Sequence, residues 1–391
     1  MSPLLQRFVP ALLLGAVLCS PAAAQAQDVS ESLHEVREKH GLPALAAVAI
    51  QGDRIVASGV DGVRRRGGEA KVTLDDRFHL GSCTKAMTAT MIATLVEEEK
   101  LAWSTTIGDV FGDLGEGMRP AWKAVTVEQL LTHRSGAPGD VDPKLWARLW
   151  ARDGTPVEQR MELVRGTLAS EPASAPGTKF AYSNTGYAIA GAMAEKVTGK
   201  AWEELMRERL FAPLGMESAG FGAPGKPGEL DQPLGHSAKG TPVELGPEDD
   251  NPPAIGPAGT VHATLADWAK FVAAHLEGDR AATGKAPEES AKLLKPGTYL
   301  KLHAPGQGEG TEYAMGWGIA DRPWGGGRVL THSGSNTMWY CTVWMAPEKD
   351  FAVLVATNQG GAKASAGADE ACGVMIQAVL EQAAAAEKAK K

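Results

Sequence analysis

Ser82-Cys83-Thr84-Lys85 sets a hydroxyl and an amine three residues apart. On a helix that spacing puts both side chains on one face, about one turn apart. A serine hydroxyl is a weak nucleophile until a neighbouring base takes its proton. A lysine can be that base if burial or a second cation keeps it substantially neutral near pH 7. A helix start also offers unpaired N–H groups and partial positive charge to a developing oxyanion. The same residues equally fit a helix-capping Ser82 and a solvated first-turn Lys85, because SxxK arises by chance roughly once in a chain of this size.

Two further groups could join that chemistry. Tyr182-Ser183-Asn184 is the only YxN among five tyrosines. A tyrosine with a lowered pKa can share a serine's proton with a lysine, and Asn184 can donate and accept across a substrate amide. Taken alone, a buried tyrosine followed by a helix-capping Asn184 explains the tripeptide as well. Leu330-Thr331-His332-Ser333-Gly334-Ser335-Asn336 lies on an edge-like strand near the C-terminus. There His332 could carry a charge or donate a proton, Ser333 could bind substrate, and Gly334 permits close approach of a substrate backbone. HxG also occurs at His79-Leu80-Gly81, so the tripeptide alone proves nothing. Cys83 is a weak rival nucleophile: no histidine is positioned for it, and on a helix it points roughly 100° away from Ser82. The chain has no GxSxG elbow, no HExxH helix and no CxxC pair, so neither a nucleophile elbow nor a metal is expected.

The elements that must hold these groups follow from the hydropathy pattern. Ala44 to Val60 alternates around Gln51-Gly52-Asp53 and reads as a hairpin. Helix signals dominate from Ser82 to about Leu276: Ser82–Lys100 with Met87, Met91 and Leu95 on one stripe, then Thr126–His133, Thr185–Thr198 and Ala201–Phe211. Strand patterns return after Gly316, at Arg328–His332, Met338–Met345 and Phe351–Thr357, before an alanine-rich helix over Ala371–Ala386. The expected fold is α/β in the α+β sense, with an antiparallel sheet built from both termini, helices flanking it and a mostly helical region inserted. A single catalytic domain spans 29–382, its sheet part about 29–81 plus 297–382 and its helical part about 82–296, with a charged tail at 383–391. Gly220 to Gly259 is rich in Pro and Gly without periodicity, which fits a binding loop or mobile lid as well as a disordered surface insert.

Composition narrows the class. The chain has 391 residues, 43% hydrophobic and 22% charged, an ordinary globular balance. Its formal charge of −8, with no basic block beyond Arg64-Arg65-Arg66 and the tail lysines, argues against a nucleic-acid partner. Residues 1–26 read as a secretory signal, with Arg7 ahead of a short apolar run and small residues allowing cleavage after 24 or 26. No later stretch reaches transmembrane length. An exported protein is therefore expected, periplasmic or secreted, in which Cys341 and Cys372 could pair or could be buried small hydrophobes.

SxxK, then YxN about 100 residues later, then HxG about 150 residues further on, resembles the penicillin-recognising serine hydrolases. That superfamily holds class C β-lactamases, D-Ala-D-Ala carboxypeptidases, D-aminopeptidases and related esterases. Phe78-His79-Leu80-Gly81, Leu130-Leu131-Thr132-His133-Arg134-Ser135-Gly136, Pro257-Ala258-Gly259 and Gly316-Trp317-Gly318 support the resemblance, which covers roughly Ser30 to Gln377. It implies Ser82 as the acylated nucleophile and Lys85 as its activating partner. Tyr182 would move the proton to the leaving group and then activate the deacylating water, and Asn184 would position the substrate amide. The backbone N–H groups of Ser82 and Ser335 would form the oxyanion hole. No cofactor is implied.

His332-Ser333-Gly334 stands where such β-lactamases usually carry Lys-Thr-Gly. A histidine of ordinary pKa is mostly neutral at pH 7, so recognition of a free carboxylate is weakened. The expected substrate is a small molecule or peptide, in the order D-amino-acid peptide or ester, then β-lactam. A penicillin-binding or sensor protein with little turnover is the reading from another class. The sequence leaves the oligomeric state open.

Overall fold

The computed structural model describes residues 26–139, 141–246, 249–310 and 312–389. The segment read as a secretory signal lies almost wholly outside the described residues. In chain order the first elements are β1 (Gln27–Asp28), α1 (Ser30–His40), β2 (Ala44–Gln51), β3 (Arg54–Gly62), β4 (Phe78–His79) and α2 (Thr84–Glu97). The helical region continues with α3 (Ile107–Phe111), α4 (Val127–Leu131), α5 (Pro143–Trp150), α6 (Pro156–Leu168), α7 (Asn184–Thr198), α8 (Trp202–Met206) and α9 (Ala212–Leu214). Then come β5 (Gly220–Phe221), α10 (Gly256–Gly259), β6 (Val261–Ala263), α11 (Leu265–Ala282) and α12 (Pro296–Leu302). The chain closes with β7 (Gly318–Arg322), β8 (Gly327–Gly334), β9 (Tyr340–Ala346), β10 (Phe351–Thr357) and α13 (Ala362–Ala389).

Among the described residues, seven strands form one sheet in the order β1-β3-β2-β10-β9-β8-β7. Strands from both termini thus meet at the β2–β10 pair, as expected. All neighbours are antiparallel except β1 and β3. Both faces of the sheet are covered. On β10, Ala352, Leu354 and Ala356 join a core shared with the helical region, while Phe351, Val353 and Val355 join a second core under α1 and α13. Burial on both faces explains why β10 reads as an unbroken apolar run rather than an alternating one.

The inserted helices pack around α2, which is buried from Thr84 to Leu95 and not only along the Met87 stripe. A helix hidden all round needs its polar groups satisfied. Thr88 Oγ1 donates to the Pro257 carbonyl, Thr90 Oγ1 to that of Ala86 and Thr94 Oγ1 to that of Met91.

Several expectations need correction. The final helix begins at Ala362, nine residues before Ala371, and runs to Ala389 through the segment read as a tail. Within it Gly367 is a close-packing point, where a Cβ would lie 2.8 Å from Leu42 Cδ1. β8 is an interior strand between β7 and β9. β7 pairs with it only as far as Thr331, so only the His332–Gly334 end has an open edge. The long loop is fastened down: Leu234 N–H donates to the Arg64 carbonyl, His236 N–H to that of Met338, and Gly360 N–H to that of His236. His236 is buried, and its ring bridges Arg66 N–H and the Asn358 carbonyl. Cys341 and Cys372 belong to cores on opposite sides of the sheet, so they do not pair. Cys341 Sγ lies instead 3.5 Å from Cys83 Sγ.

Candidate active site

The corner carrying Ser82 is forced into place by two glycines. Gly81 has φ +47°, and a Cβ there would sit 2.3 Å from Ser335 N. A Cβ on Gly334 would sit 2.0 Å from the Leu80 carbonyl oxygen and 2.9 Å from Ser82 N. Only glycines allow this approach. It packs the Gly81-Ser82 backbone directly against the Gly334-Ser335 backbone. Ser82 itself lies in a single 3-10 turn, Gly81–Cys83, that runs directly into α2. No side-chain cap bond is made at either junction, so the Ser82 hydroxyl is not spent on capping.

Lys85, one turn on, is completely buried. Its Nζ donates to Ser82 Oγ at 3.1 Å, Asn184 Oδ1 at 2.8 Å and the Ala258 carbonyl at 2.7 Å. Burial lowers its pKa from 10.5 to about 7, opposed by the nearby Cys83. The requirement that the sequence left open, a lysine substantially neutral near pH 7, is met by desolvation. Glycine again permits the packing: a Cβ on Gly316 would lie 2.4 Å from the Ala86 backbone.

Asn184 is the first residue of α7, but the cap is Ser183, whose Oγ accepts the Gly186 N–H at 3.0 Å. Asn184 is therefore free to hold Lys85. Tyr182 stands just ahead, 38% exposed, with Lys85 Nζ 4.8 Å from its ring centroid. Its phenol end is the buried part. Desolvation pushes its pKa well above the ordinary value, and a hydrogen bond with Ser82 takes back only part of the rise. Tyr182 thus lacks the lowered pKa that would let it share the Ser82 proton, and it stays a protonated donor.

His133 braces Tyr182 from behind. The two rings lie 4.3 Å apart, and His133 Nδ1 accepts the Ser183 N–H at 3.1 Å. Its Nε2 faces a box that includes Phe180, Tyr187 and Tyr313 and has no partner among the described residues. Burial, then the nearby Lys85, holds His133 well below its ordinary pKa.

On β8 the two polar residues part company. His332 faces the site side of the sheet, yet both ring nitrogens are occupied, Nδ1 with the Ser333 carbonyl at 2.7 Å and Nε2 with Tyr313 Oη at 2.8 Å. Ser333 points the other way, its Oγ donating to Thr342 Oγ1 at 3.2 Å in a pocket beside α13. What Ser333 can offer the cleft is its backbone on the open edge. Cys83 is 2% exposed and directs Sγ at the His332 carbonyl and Cys341, not at the cleft.

Asn184 and Ser335 line a cavity of about 380 Å³ whose other walls include Val141, Trp146, Ile255 and Asn251. It shares Asn251, Asn336 and Thr337 with a second hollow of about 390 Å³ bounded by Trp150, Val243 and Met338. Among the described residues, no lysine or arginine lines either one. The arrangement can activate a hydroxyl, stabilise an oxyanion and protonate a leaving group beside an apolar wall.

Sequence reasoning missed four contributors: the Ala258 carbonyl, His133, Tyr313 and the buried Asp250 on the long loop. Pro257-Ala258-Gly259 and the Leu130 to Gly136 segment were visible as words. Nothing in them shows that a carbonyl holds Lys85 or that a ring braces Tyr182.

Fold and site together define a serine hydrolase of the β-lactamase/transpeptidase type. The chain belongs to the family described as Beta-lactamase, which matches residues 28–371. It is 28% identical over 340 residues to Penicillin-binding protein 4 of Amycolatopsis lactamdurans, covering 84% of each chain. It is 26% identical over 343 residues to Unguisins hydrolase ungD' of Aspergillus campestris, covering 85% of this chain and 61% of that one. The solved octameric penicillin-binding protein homologue from Pyrococcus abyssi superimposes with a TM-score of 0.69 at 26% identity, covering 89% of this chain and 76% of the other. No helix among the described residues is long and apolar enough to cross a membrane.

Proposed function

We propose that this protein hydrolyses amides or esters of apolar acyl groups through an acyl-enzyme on Ser82, and that its substrates lack a free carboxylate beside the scissile bond. D-amino-acid peptides or amides and small esters fit this description. The observation that carries the chemistry is the buried Lys85 amine, 3.1 Å from Ser82 Oγ and tuned to about 7. Neutral Lys85 takes the Ser82 proton as Oγ attacks the substrate carbonyl. The Ser82 and Ser335 N–H groups receive the oxyanion. Tyr182, kept protonated by burial, supplies the proton of the leaving group and recovers one from Lys85. Water then attacks the ester, with the same groups working in reverse.

The substrate class follows from what faces the cleft. Among the described lining residues a carboxylate would find neutral donors such as Asn184, Asn251 and Asn336, and no lysine or arginine in the wall. His332, where a lysine would supply charge, is turned to Tyr313 and its own chain. An anion desolvated without a cation is costly. Val141, Trp146 and Ile255 suit an apolar group instead. This disfavours β-lactams and D-Ala-D-Ala termini, both of which carry a carboxylate. The segment 1–26, read as a secretory signal, supports an activity outside the cytoplasm.

The test is turnover of matched substrates with Ser82→Ala as control: a chromogenic cephalosporin, a p-nitrophenyl ester, and a D-amino-acid peptide ending in carboxylate or carboxamide. The ester and the carboxamide should exceed their charged counterparts by about tenfold or more in kcat/KM. Preference for the carboxylate-bearing member of each comparison would refute the substrate class. No Ser82-dependent turnover at all would favour a binding protein.

A further inference from the structure

Behind the oxyanion donors lies a buried polar chain that the chemistry above does not use. His79 Nδ1 accepts the Gly81 N–H at 3.1 Å, and His79 Nε2 meets Asp250 Oδ2 at 2.9 Å. Asp250 Oδ1 accepts from Asn336 Nδ2 at 2.9 Å and from the Asn251 N–H at 2.8 Å. Asn336 is oriented in turn by the Met338 N–H, which donates to its Oδ1 at 3.2 Å. His79, Asp250 and Asn336 are each at least 96% buried. Because Nδ1 accepts, the ring proton sits on Nε2 and points at the carboxylate, so Asp250 selects the tautomer that can hold Gly81.

The chain position of these contacts matters more than their number. Gly81 immediately precedes Ser82, and Asn336 immediately follows Ser335. The residues flanking the two oxyanion N–H groups are thus joined through one carboxylate that the long loop delivers. The Arg152 guanidinium fastens the Asp250 carbonyl at 2.5 Å, tying that loop to the helical region as well.

We infer that Asp250 is a positioning residue: through His79 and Asn336 it sets the distance and aim of the Ser82 and Ser335 N–H groups, making the 220–259 loop part of the oxyanion hole's support. This rests on the reading of Ser82 as the acylated residue. Asp250→Asn is close to isosteric but cannot satisfy all its neighbours. Its oxygen must serve Asn336 and Asn251, which leaves its NH₂ facing His79 Nε2–H. The ring then shifts its proton to Nδ1 and loses the Gly81 N–H. In a His79→Asn background no tautomer is left to shift, and the amide introduced by Asp250→Asn can keep its oxygen on Asn336 without conflict.

The experiment measures kcat and KM on a p-nitrophenyl ester for the wild type, both single variants and the double variant, with rates normalised to Ser82 titrated by an acylating reagent. Asp250→Asn should lower kcat by about tenfold or more with KM within about threefold, a fraction of what losing an oxyanion donor costs. Added to His79→Asn, it should cost less than about threefold further, a non-additivity that independent lesions do not show. An unchanged kcat, an effect confined to KM, or the same loss in both backgrounds would overturn the inference. If Asp250→Asn does not fold, Asn336→Ala decides: it cuts only the Ser335 branch, and kcat within about threefold of wild type would equally overturn it. Wild-type protein with neither turnover nor acylation of Ser82 would refute the acyl-enzyme reading instead.

Discussion

The most consequential number in the structure is the pKa of Lys85, and it can be tested without a substrate. Burial brings it from 10.5 to about 7 in the folded protein, while the unfolded chain keeps the higher value. Below about pH 7 both states hold the proton, and the penalty of burying the charge is constant. Between the two values the folded protein has released a proton that the unfolded chain retains, so folding becomes more favourable as pH rises. Lys85→Met removes this titration. Integrated from about pH 6 to about pH 9, the wild type should gain about 3 kcal/mol relative to the variant. The variant also strands the Asn184 and Ala258 acceptors, but that offset does not depend on pH. Urea unfolding of both proteins, followed by tryptophan fluorescence at the two pH values, reads the difference directly. A gap that stays constant within about 0.5 kcal/mol would mean that Lys85 titrates normally and is charged at neutral pH, which removes the proposed base.

The same lysine should govern activity. kcat/KM on an ester should climb about tenfold per unit below pH 7 and level off above it, and a pH–rate profile that is flat from about pH 5 to 8 would contradict this. Gly81→Ala should cost about a hundredfold or more in turnover, because the new Cβ collides with Ser335 N. Gly41→Ala, also at positive φ but with nothing within 4 Å, should cost only about 1 kcal/mol in urea unfolding and leave kinetics unchanged. Cys83→Ala should keep ester turnover within about threefold, since the thiol faces Cys341 and the His332 carbonyl; loss of the acyl-enzyme in that variant would revive the thiol.

What the sequence disclosed, it disclosed through local spacing. Ser82 and Lys85 share a face because they are one turn apart, the hairpin announces itself by alternation, and the C-terminal strands by short apolar runs. The continuous apolar run of β10 showed a strand but not that helices cover both its faces. Residues that act across long separations were invisible. His79 meets Asp250 across 171 positions, and Asn336 meets it across 86. Side-chain direction was also hidden: Ser333 faces α13, and His332 spends both nitrogens inside the protein. Electrostatic tuning came out opposite for two neighbours of Ser82. Burial disfavours the charged form of each, which lowers a lysine and raises a tyrosine.

The central claim is a covalent intermediate on Ser82. Intact-mass analysis of the protein quenched during ester turnover, followed by peptide mapping, tests it most directly. The predicted result is one acyl group per chain, located on the peptide that begins the Ser82-Cys83-Thr84-Lys85 helix and absent in Ser82→Ala. An acyl group on Cys83 or elsewhere, or turnover that survives in Ser82→Ala, would contradict it.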